Sequence, residues 1–463
     1  MVFLLATLYG KPRVDSTDLR RMDPFPAGVP CDAQEPLATL AARTGSGVSW
    51  FFVAVSVGTA RGRKMPASPE IREAIRQGSW IRKMFEDGAV LKSERGEENV
   101  FDFTLGNPYG DPPAALSAEL ARLCADPPPG LHRYMPNAGV PEARRAAAQS
   151  LSGTTGLPFT EAHLVMTVGA AGALNVALRA ILSPGDEVVI LAPYFVEYLF
   201  YIRNAGGTPV VAETDARFQL DRAAIESALT PKTRAILINT PNNPTGSVYP
   251  EGDLAALDRL LSAAEKRFGN PIYVISDEPY RKIVFRGVSS TPAAAVIRNT
   301  IVAYSHSKDL NLPGERIGYL AVSPRAADAA EVAGACVFCN RVLGFVNAPA
   351  LFQHAASKFE DEPADVSVYQ ENRDVLLDAL ARAGIDVVPP GGAFYLFPKS
   401  PVPDEMSFVA AARDEGILVV PGSGFGRSGH VRIAYCLSPE TVRRSVPAWE
   451  RLGRRYPGGE IRR

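Results

Sequence analysis

The sequence is poor in the features that would announce an unusual environment. Its 463 residues include five cysteines, Cys31, Cys124, Cys336, Cys339 and Cys436. That odd number has no disulfide-framework spacing, which argues against a cysteine-stapled secreted scaffold and favours a reducing cytoplasm. One CxxC occurs, Cys336-Val-Phe-Cys339, with no second CxxC and no nearby histidine cluster. A buried helical or loop pair is expected there, not a metal or redox site. Neither sign of charge is in surplus: 49 Lys and Arg oppose 50 Asp and Glu. Nothing in that balance points to a nucleic-acid or anionic-membrane partner. Long apolar runs are missing too. Val2–Tyr9 and Val48–Val57 both fall short of the roughly 20 residues that a membrane span needs. There is no internal repeat or low-complexity block. What is there is ordinary globular composition, 46% hydrophobic and 21% charged, with ample material for a large core.

Residues 1–64 read differently from the rest. The first apolar run lacks a basic n-region, and the second ends in Arg61-Gly62-Arg63-Lys64 without a convincing cleavage site. Asp15, Asp18, Asp23, Asp32 and Glu35 argue against a transit peptide. The expectation is a disordered or mis-called extension with Met65 as the natural start, and an N-terminal anchor as the alternative. Ser68-Pro69-Glu70 then reads as a helix start, with Ile71, Ile75, Met84 and Phe85 on its apolar face and Gly88 as its stop.

Between residues 121 and 345, nearly all-apolar runs alternate with helical patterns. The expected strands are 164–168, 187–191, 208–212, 235–239, 272–276, 300–304 and 319–322, with helices over 172–182, 253–267 and 326–333. Such runs imply an α/β domain whose mostly parallel central sheet is covered by helices on both faces. Residues 346–463 read as a smaller α+β domain, with helices over 370–383, 406–415 and 439–452 around short strands at 393–397 and 430–434. Residues 65–120 are expected to complete it.

Six segments carry candidate chemistry. Ser305-His306-Ser307-Lys308 precedes Arg316 by eight residues, counted from the lysine. A lysine that forms a Schiff base with a phosphorylated cofactor needs a hydroxyl and a guanidinium nearby to hold the phosphate. Asn243 lies in a Pro- and Gly-bounded turn after one strand, at the edge where open α/β sheets place ligands. Asp277 ends another strand, with Tyr280 three residues on; Glu278 should point the other way. Val168-Gly169-Ala170-Ala171-Gly172 joins a strand to a helix, and its backbone N–H groups can approach a phosphate. Phe195, after the next strand, could stack on a flat heteroaromatic ring. Arg432 sits in an apolar strand, where its charge needs a partner such as a substrate carboxylate. Taken singly, five of the six have a plain structural reading: a solvated helix start, an Asx turn, close packing, a core aromatic, an internal salt bridge.

Together, and in this order, these segments resemble the fold-type I pyridoxal-phosphate enzymes, specifically the class I and II aminotransferases of aspartate aminotransferase type. The resemblance covers residues 97–437. It implies pyridoxal 5′-phosphate as cofactor, with Lys308 as the lysine of the internal aldimine, Asp277 on the pyridine nitrogen, and Asn243 and Tyr280 on the 3-oxygen. It further implies Phe195 stacked on the ring, and Ala170, Ala171, Gly172, Ser305 and Arg316 around the phosphate. Tyr134 resembles a tyrosine that reaches the partner subunit's phosphate, which implies a homodimer with shared sites. Arg432 resembles the arginine that takes the substrate α-carboxylate, with the Gly106 backbone beside it. Arg341 is similar to a partner-chain arginine that takes a side-chain carboxylate, which favours aspartate or glutamate. In the implied reaction Lys308, its pKa lowered by the pocket, moves the α-proton while an amino acid and a 2-oxo acid exchange an amino group. No role carries over to His306, for which local packing is expected. The same scaffold also hosts lyases and γ-substitution enzymes, including ones acting on S-adenosylmethionine, and that alternative stays open at the level of sequence.

Overall fold

The computed structural model describes residues 42–44, 47–49, 68, 71–72, 75, 88 and 91–456. The expectations for residues 1–64, for Met65 and for Pro69, Glu70, Met84 and Phe85 lie outside these residues, apart from strands Ala42–Thr44 and Gly47–Ser49, which pair antiparallel. Ile71 and Ile75 are helical. Gly88 is not the expected stop, because it is itself helical; the helical stretch 91–95 ends at Gly96, whose φ of 83° only glycine adopts readily.

Residues 70–463 form one compact unit built around a seven-stranded sheet. Its strands are β1 (Leu164–Thr167), β2 (Glu187–Ala192), β3 (Thr208–Glu213), β4 (Thr233–Asn239), β5 (Tyr273–Asp277), β6 (Thr300–Ser305) and β7 (Gly318–Val322). Their order is β1-β7-β6-β5-β4-β2-β3. All neighbouring pairs are parallel except those made by β7, which is antiparallel to both β1 and β6. The period-2 alternation of a strand puts Val188, Ile190, Leu237 and Ile275 on one face, against the helices Gly169–Ile181 and Ala329–Val342. Val189, Leu191, Ile236 and Ile238 face the other way, against the helix Glu251–Phe268. Burial on both faces explains why these strands read as unbroken apolar runs. Cys336 and Cys339 lie buried on the helix Ala329–Val342, as expected, and burial pushes both thiols up in pKa.

The smaller α+β part has its own core, centred on Phe103, Phe394, Phe408 and Trp449. Strand Val431–Ala434 pairs antiparallel with Tyr395–Leu396 and with Val420–Pro421, and Ile417–Leu418 pairs parallel with Phe101–Asp102. The chain before residue 120 therefore supplies a strand to a region otherwise built from the C-terminal part. Among the described residues no helix is long and apolar enough to cross a membrane.

Candidate active site

Register brings the chemistry to one edge of the sheet. Asn239 and Asp277 are cross-strand partners at the ends of β4 and β5, and Asp277 is partnered by Ala303 on β6. Ser305 ends β6 and sits opposite Gly318, which in turn sits opposite Thr167 at the end of β1. Gly318 cannot be replaced cheaply: a Cβ there would lie 2.1 Å from the Tyr304 carbonyl oxygen. The carboxyl ends of parallel strands thus open onto one cavity, lined by Gly106, Ala170, Ala171, Phe195, Asn243, Asp277, Tyr280, Ser305, Lys308, Arg316 and Arg432. Eleven of the expected site residues are gathered there, although they are spread over more than 300 positions of sequence.

Lys308 lies on the one-turn helix His306–Asp309. Its amine donates to the Gly106 carbonyl at 2.7 Å and lies 5.6 Å from the centre of the Phe394 ring. Burial lowers its pKa to about 8, helped by the guanidinium groups of Arg316 and Arg432 and opposed by Cys436. Such an amine loses its proton far more readily than a surface lysine.

Asp277 is buried. Tyr198 donates to its Oδ2 at 2.6 Å, and its Oδ1 has no partner. Burial raises its pKa to about 7, against the pull of the Tyr198 hydrogen bond. A buried carboxylate with an open oxygen fits a cationic N–H donor that the protein itself does not supply. Asn239 steadies the floor: its Nδ2 donates to the Asp277 carbonyl and its Oδ1 accepts from the Asn243 amide. The Tyr280 hydroxyl lies 2.8 Å from that of Tyr395.

An anion cradle lies at the start of the helix Gly169–Ile181. The Ser305 and Ser307 hydroxyls are 2.7 Å apart, and Arg316 Nη1 reaches Ser307 Oγ at 3.5 Å. Gly169 has φ 75°, and a Cβ there would come within 3.0 Å of Arg316 Nη2 and 3.3 Å of Ser305 Oγ. The glycine keeps this space clear where amides, hydroxyls and a guanidinium converge.

Arg432 is 7% exposed, and no carboxylate pairs with it among the described residues. It donates to Asn243 Oδ1 at 3.1 Å and to the Thr104 carbonyl at 2.5 Å, and its Nε is left without a partner. Its guanidinium carbon lies 5.0 Å from the centre of the Tyr395 ring and 4.8 Å from that of Phe425. Cation–π contacts to two rings hold the fork in place while leaving it short of an anion.

Two expectations are revised in detail, and two residues expected at the partner's site stand apart from this cavity. Gly172 is buried within its helix against Val168, whose side chain a Cβ would meet at 2.6 Å, so it does not line the cavity. The Gly106 carbonyl takes the lysine amine, and the backbone carbonyl bonded to Arg432 is that of Thr104. Tyr134 is 96% exposed, and Arg341 is exposed at the end of its helix with its guanidinium 5.5 Å from the Phe338 ring centre. Neither Tyr134 nor Arg341 lines the cavity of its own chain. Sequence reasoning missed Ser307, Tyr198, Tyr395, Asn239 and Thr104, all of which line it. Glu278 points away, as expected, to Ser276 and Arg281.

Comparison with known proteins places this geometry. The family model "Aminotransferase class I and II" matches residues 98–448. An aspartate/prephenate aminotransferase of Thermus thermophilus is 36% identical over 373 residues, 79% of this chain and 94% of the relative. A probable N-acetyl-LL-diaminopimelate aminotransferase of Bacillus subtilis is 31% identical over 361 residues, 76% of this chain and 89% of the relative. Among solved structures, an amino transferase from Eubacterium rectale superposes with a TM-score of 0.82 at 39% identity, covering 85% of this chain and all of that one. An aspartate aminotransferase of T. thermophilus with maleate gives 0.74 at 30% identity, covering 84% and 100%. The fold is accordingly that of the aspartate aminotransferase-like, fold-type I enzymes. By these matches the chain belongs to the aminotransferase class I and II family, and its chemistry is transamination rather than the lyase or γ-substitution alternative.

Proposed function

We propose that the cavity holds pyridoxal 5′-phosphate and exchanges the amino group of a dicarboxylic amino acid with a 2-oxo acid, at a site completed by a second copy of the chain. The observation that carries this reading is the open, buried Oδ1 of Asp277 across a cavity from Lys308 and the Ser305, Ser307 and Arg316 cradle. When bound, the cofactor would supply an electron sink for the α-carbon of the substrate. Asp277 would hold the ring nitrogen in its protonated form, Asn243 and Tyr280 the ring oxygen, and Phe195 the ring face. Ala170, Ala171, Ser305, Ser307 and Arg316 would hold the phosphate.

The rest is done by the chain. Arg432, already stacked and deprived of a carboxylate, binds the α-carboxylate of the substrate and orients the α-carbon. Lys308, with its pKa near 8, is a base strong enough to take the α-proton at Nζ and poised to give it back. The Phe394 ring limits the water around that amine, and Tyr395 and Phe425 do the same for the Arg432 guanidinium.

Tyr134 and Arg341 act across a dimer in this reading. Both are exposed and lie outside their own cavity, so any part they play at a site is at the partner's. Tyr134 would reach the phosphate there, and Arg341 the side-chain carboxylate of aspartate or glutamate. The maleate in the T. thermophilus structure is a four-carbon dicarboxylate, which supports that substrate class. The four free cysteines among the described residues suit a cytoplasmic enzyme.

The test is an absorption spectrum of the purified protein, followed by a donor screen that includes S-adenosylmethionine. A band near about 420 nm that moves to about 330 nm with aspartate or glutamate is expected. Response to monocarboxylic donors alone would overturn the dicarboxylic assignment. No band after reconstitution with the cofactor would overturn the site.

A further inference from the structure

The one-turn helix His306–Asp309 has two sides. Lys308 faces the cavity. His306 and Asp309 face a buried cluster behind it, where sequence reasoning expects only local packing. His306 is fully buried, with Nδ1 3.2 Å from Asp309 Oδ2 and Nε2 3.2 Å from Glu360 Oε1. Tyr304 donates to the same Asp309 oxygen at 2.6 Å, and the Lys282 amine lies 3.1 Å from it. Lys282 also donates to the carbonyls of Glu360 at 2.7 Å and Glu362 at 3.0 Å. Two carboxylates and two cations therefore neutralise one another inside the protein.

The geometry fixes the state of the ring. A neutral imidazole has one N–H and can donate to only one carboxylate, so two carboxylate contacts call for imidazolium. Burial opposes that charge, but Glu360 and Asp309 outweigh it and hold the pKa at about 10. A second layer closes the cluster: Arg281 lies 4.0 Å from the Tyr304 ring centre, donates to Tyr319 at 2.8 Å and pairs with Glu278.

A four-residue helix cannot hold its own shape, because one turn is shorter than the length at which helix propagation outweighs nucleation. Its orientation must come from contacts outside the turn: the His306 amide donates to the Ile317 carbonyl at 3.0 Å and the Leu312 amide to the His306 carbonyl at 3.3 Å, and side chains supply the rest. His306 lies between Ser305 and Ser307 in sequence, Asp309 follows Lys308, and Lys282 follows Tyr280 by two. All but one of the fixed points of the cluster thus lie within two residues of a residue of the cavity. The exception is Glu360, which brings in the chain that leads to the helix Ser367–Arg382.

We propose that His306, clamped between Asp309 and Glu360, is a positioning residue: it sets the one-turn helix so that Lys308 Nζ and the Ser305 and Ser307 hydroxyls face the cavity together. This rests on the reading that the cavity holds pyridoxal phosphate. No residue of the clamp lines the cavity, so it works through the backbone it fixes.

The experiment compares the holoenzyme with His306→Gln and Glu360→Gln. Folding is followed by circular dichroism and melting. The pH midpoint of the cofactor absorption band and the single-turnover rate with a saturating amino donor report on Lys308. His306→Gln, if folded, is expected to move the midpoint by about half a pH unit or more and to slow the single turnover by at least about tenfold, with KM within about threefold of the parent. Glu360→Gln is expected to do the same to a smaller extent. A folded His306→Gln that melts lower yet keeps midpoint and rate would overturn the proposal, since a purely structural residue behaves that way. If His306→Gln does not fold, Glu360→Gln decides on the same two readings. If neither variant folds, the buried charges serve the fold as a whole, and the proposal fails. Failure of the parent to bind the cofactor is a separate outcome, which sinks the functional reading instead.

Discussion

The two sides of the Ser305–Asp309 segment handle buried polar groups in opposite ways. In front, valences are left open: Asp277 Oδ1 and Arg432 Nε have no partner, and the Lys308 amine leans on a single carbonyl. Behind, His306, Asp309, Lys282 and Tyr304 satisfy one another, and only Glu360 Oε2 is loose. Both regions carry the desolvation cost of buried charge. The closed cluster offsets it internally and so contributes to one fixed geometry. The open one leaves it to be offset by a ligand, which is what makes it a site.

The comparison can be broken most sharply at Lys308. Lys308→Ala should lower kcat by about 10⁴-fold or more while leaving the melting temperature nearly unchanged, because the front contributes chemistry rather than cohesion. A parallel fall in melting temperature would erase the distinction. Asp309→Asn should show the reverse emphasis: it strips a buried carboxylate from two cations, at a cost of about 3–5 kcal/mol in denaturant-derived stability.

Asp277 gives the pH-dependent form of the same contrast. Its folded-state pKa of about 7 is raised above the ordinary 3.8. Between those values the folded state binds a proton that the unfolded chain releases, so stability falls as pH rises from about 4 to 7. In cofactor-free protein the fall attributable to this group should be roughly 2–4 kcal/mol, and Asp277→Asn should flatten it. Urea titrations at pH 5 and pH 7.5 measure both. Arg432→Lys keeps the charge but loses the planar fork. KM for amino acid donors should rise roughly 10- to 100-fold, in line with about 1.5–3 kcal/mol for a charge-assisted bidentate pair. The smallest effect belongs to Arg341→Ala, about tenfold in kcat/KM for aspartate and close to none for alanine. Equal losses for both donors would remove Arg341 from substrate recognition.

The front was far more legible in the sequence than the back. Six of the seven strands could be read because burial on both faces leaves them almost wholly apolar; the edge strand β3 is largely exposed and shows only its short Val210-Val211-Ala212 run, and the boundaries of all seven shift by no more than two residues. Site residues at strand ends, such as Asp277 and Ser305, were visible for the same reason: a polar residue closing an apolar run stands out. Tyr198 did not, since a tyrosine on a helix three residues after Phe195 looks like packing until its hydroxyl is seen on Asp277. Tyr395 sits in a short strand of the other region, and nothing local announces its bond to Tyr280, 115 positions earlier. Ser307 was overshadowed by its neighbours in Ser-His-Ser-Lys, although its place beside the lysine was a usable signal. Glu360, the distant partner of His306, lies 54 residues away in a turn, and no periodicity links the two.

One stretch of chain joins the substrate's anchor to the lysine. Four successive carbonyls, those of Phe103, Thr104, Leu105 and Gly106, accept from the Ala434 amide, the Arg432 guanidinium, the Cys436 thiol and the Lys308 amine. Mechanically this is a short tether with a load at each end. A carboxylate that draws Arg432 toward itself also tugs on Thr104, two residues from the oxygen on which the lysine rests. Seating a substrate should therefore slacken the hold on the amine before any bond is made or broken. A non-reactive dicarboxylate such as maleate should accordingly shift the Lys308 titration in cofactor-free protein, and lose that influence when Arg432 is replaced.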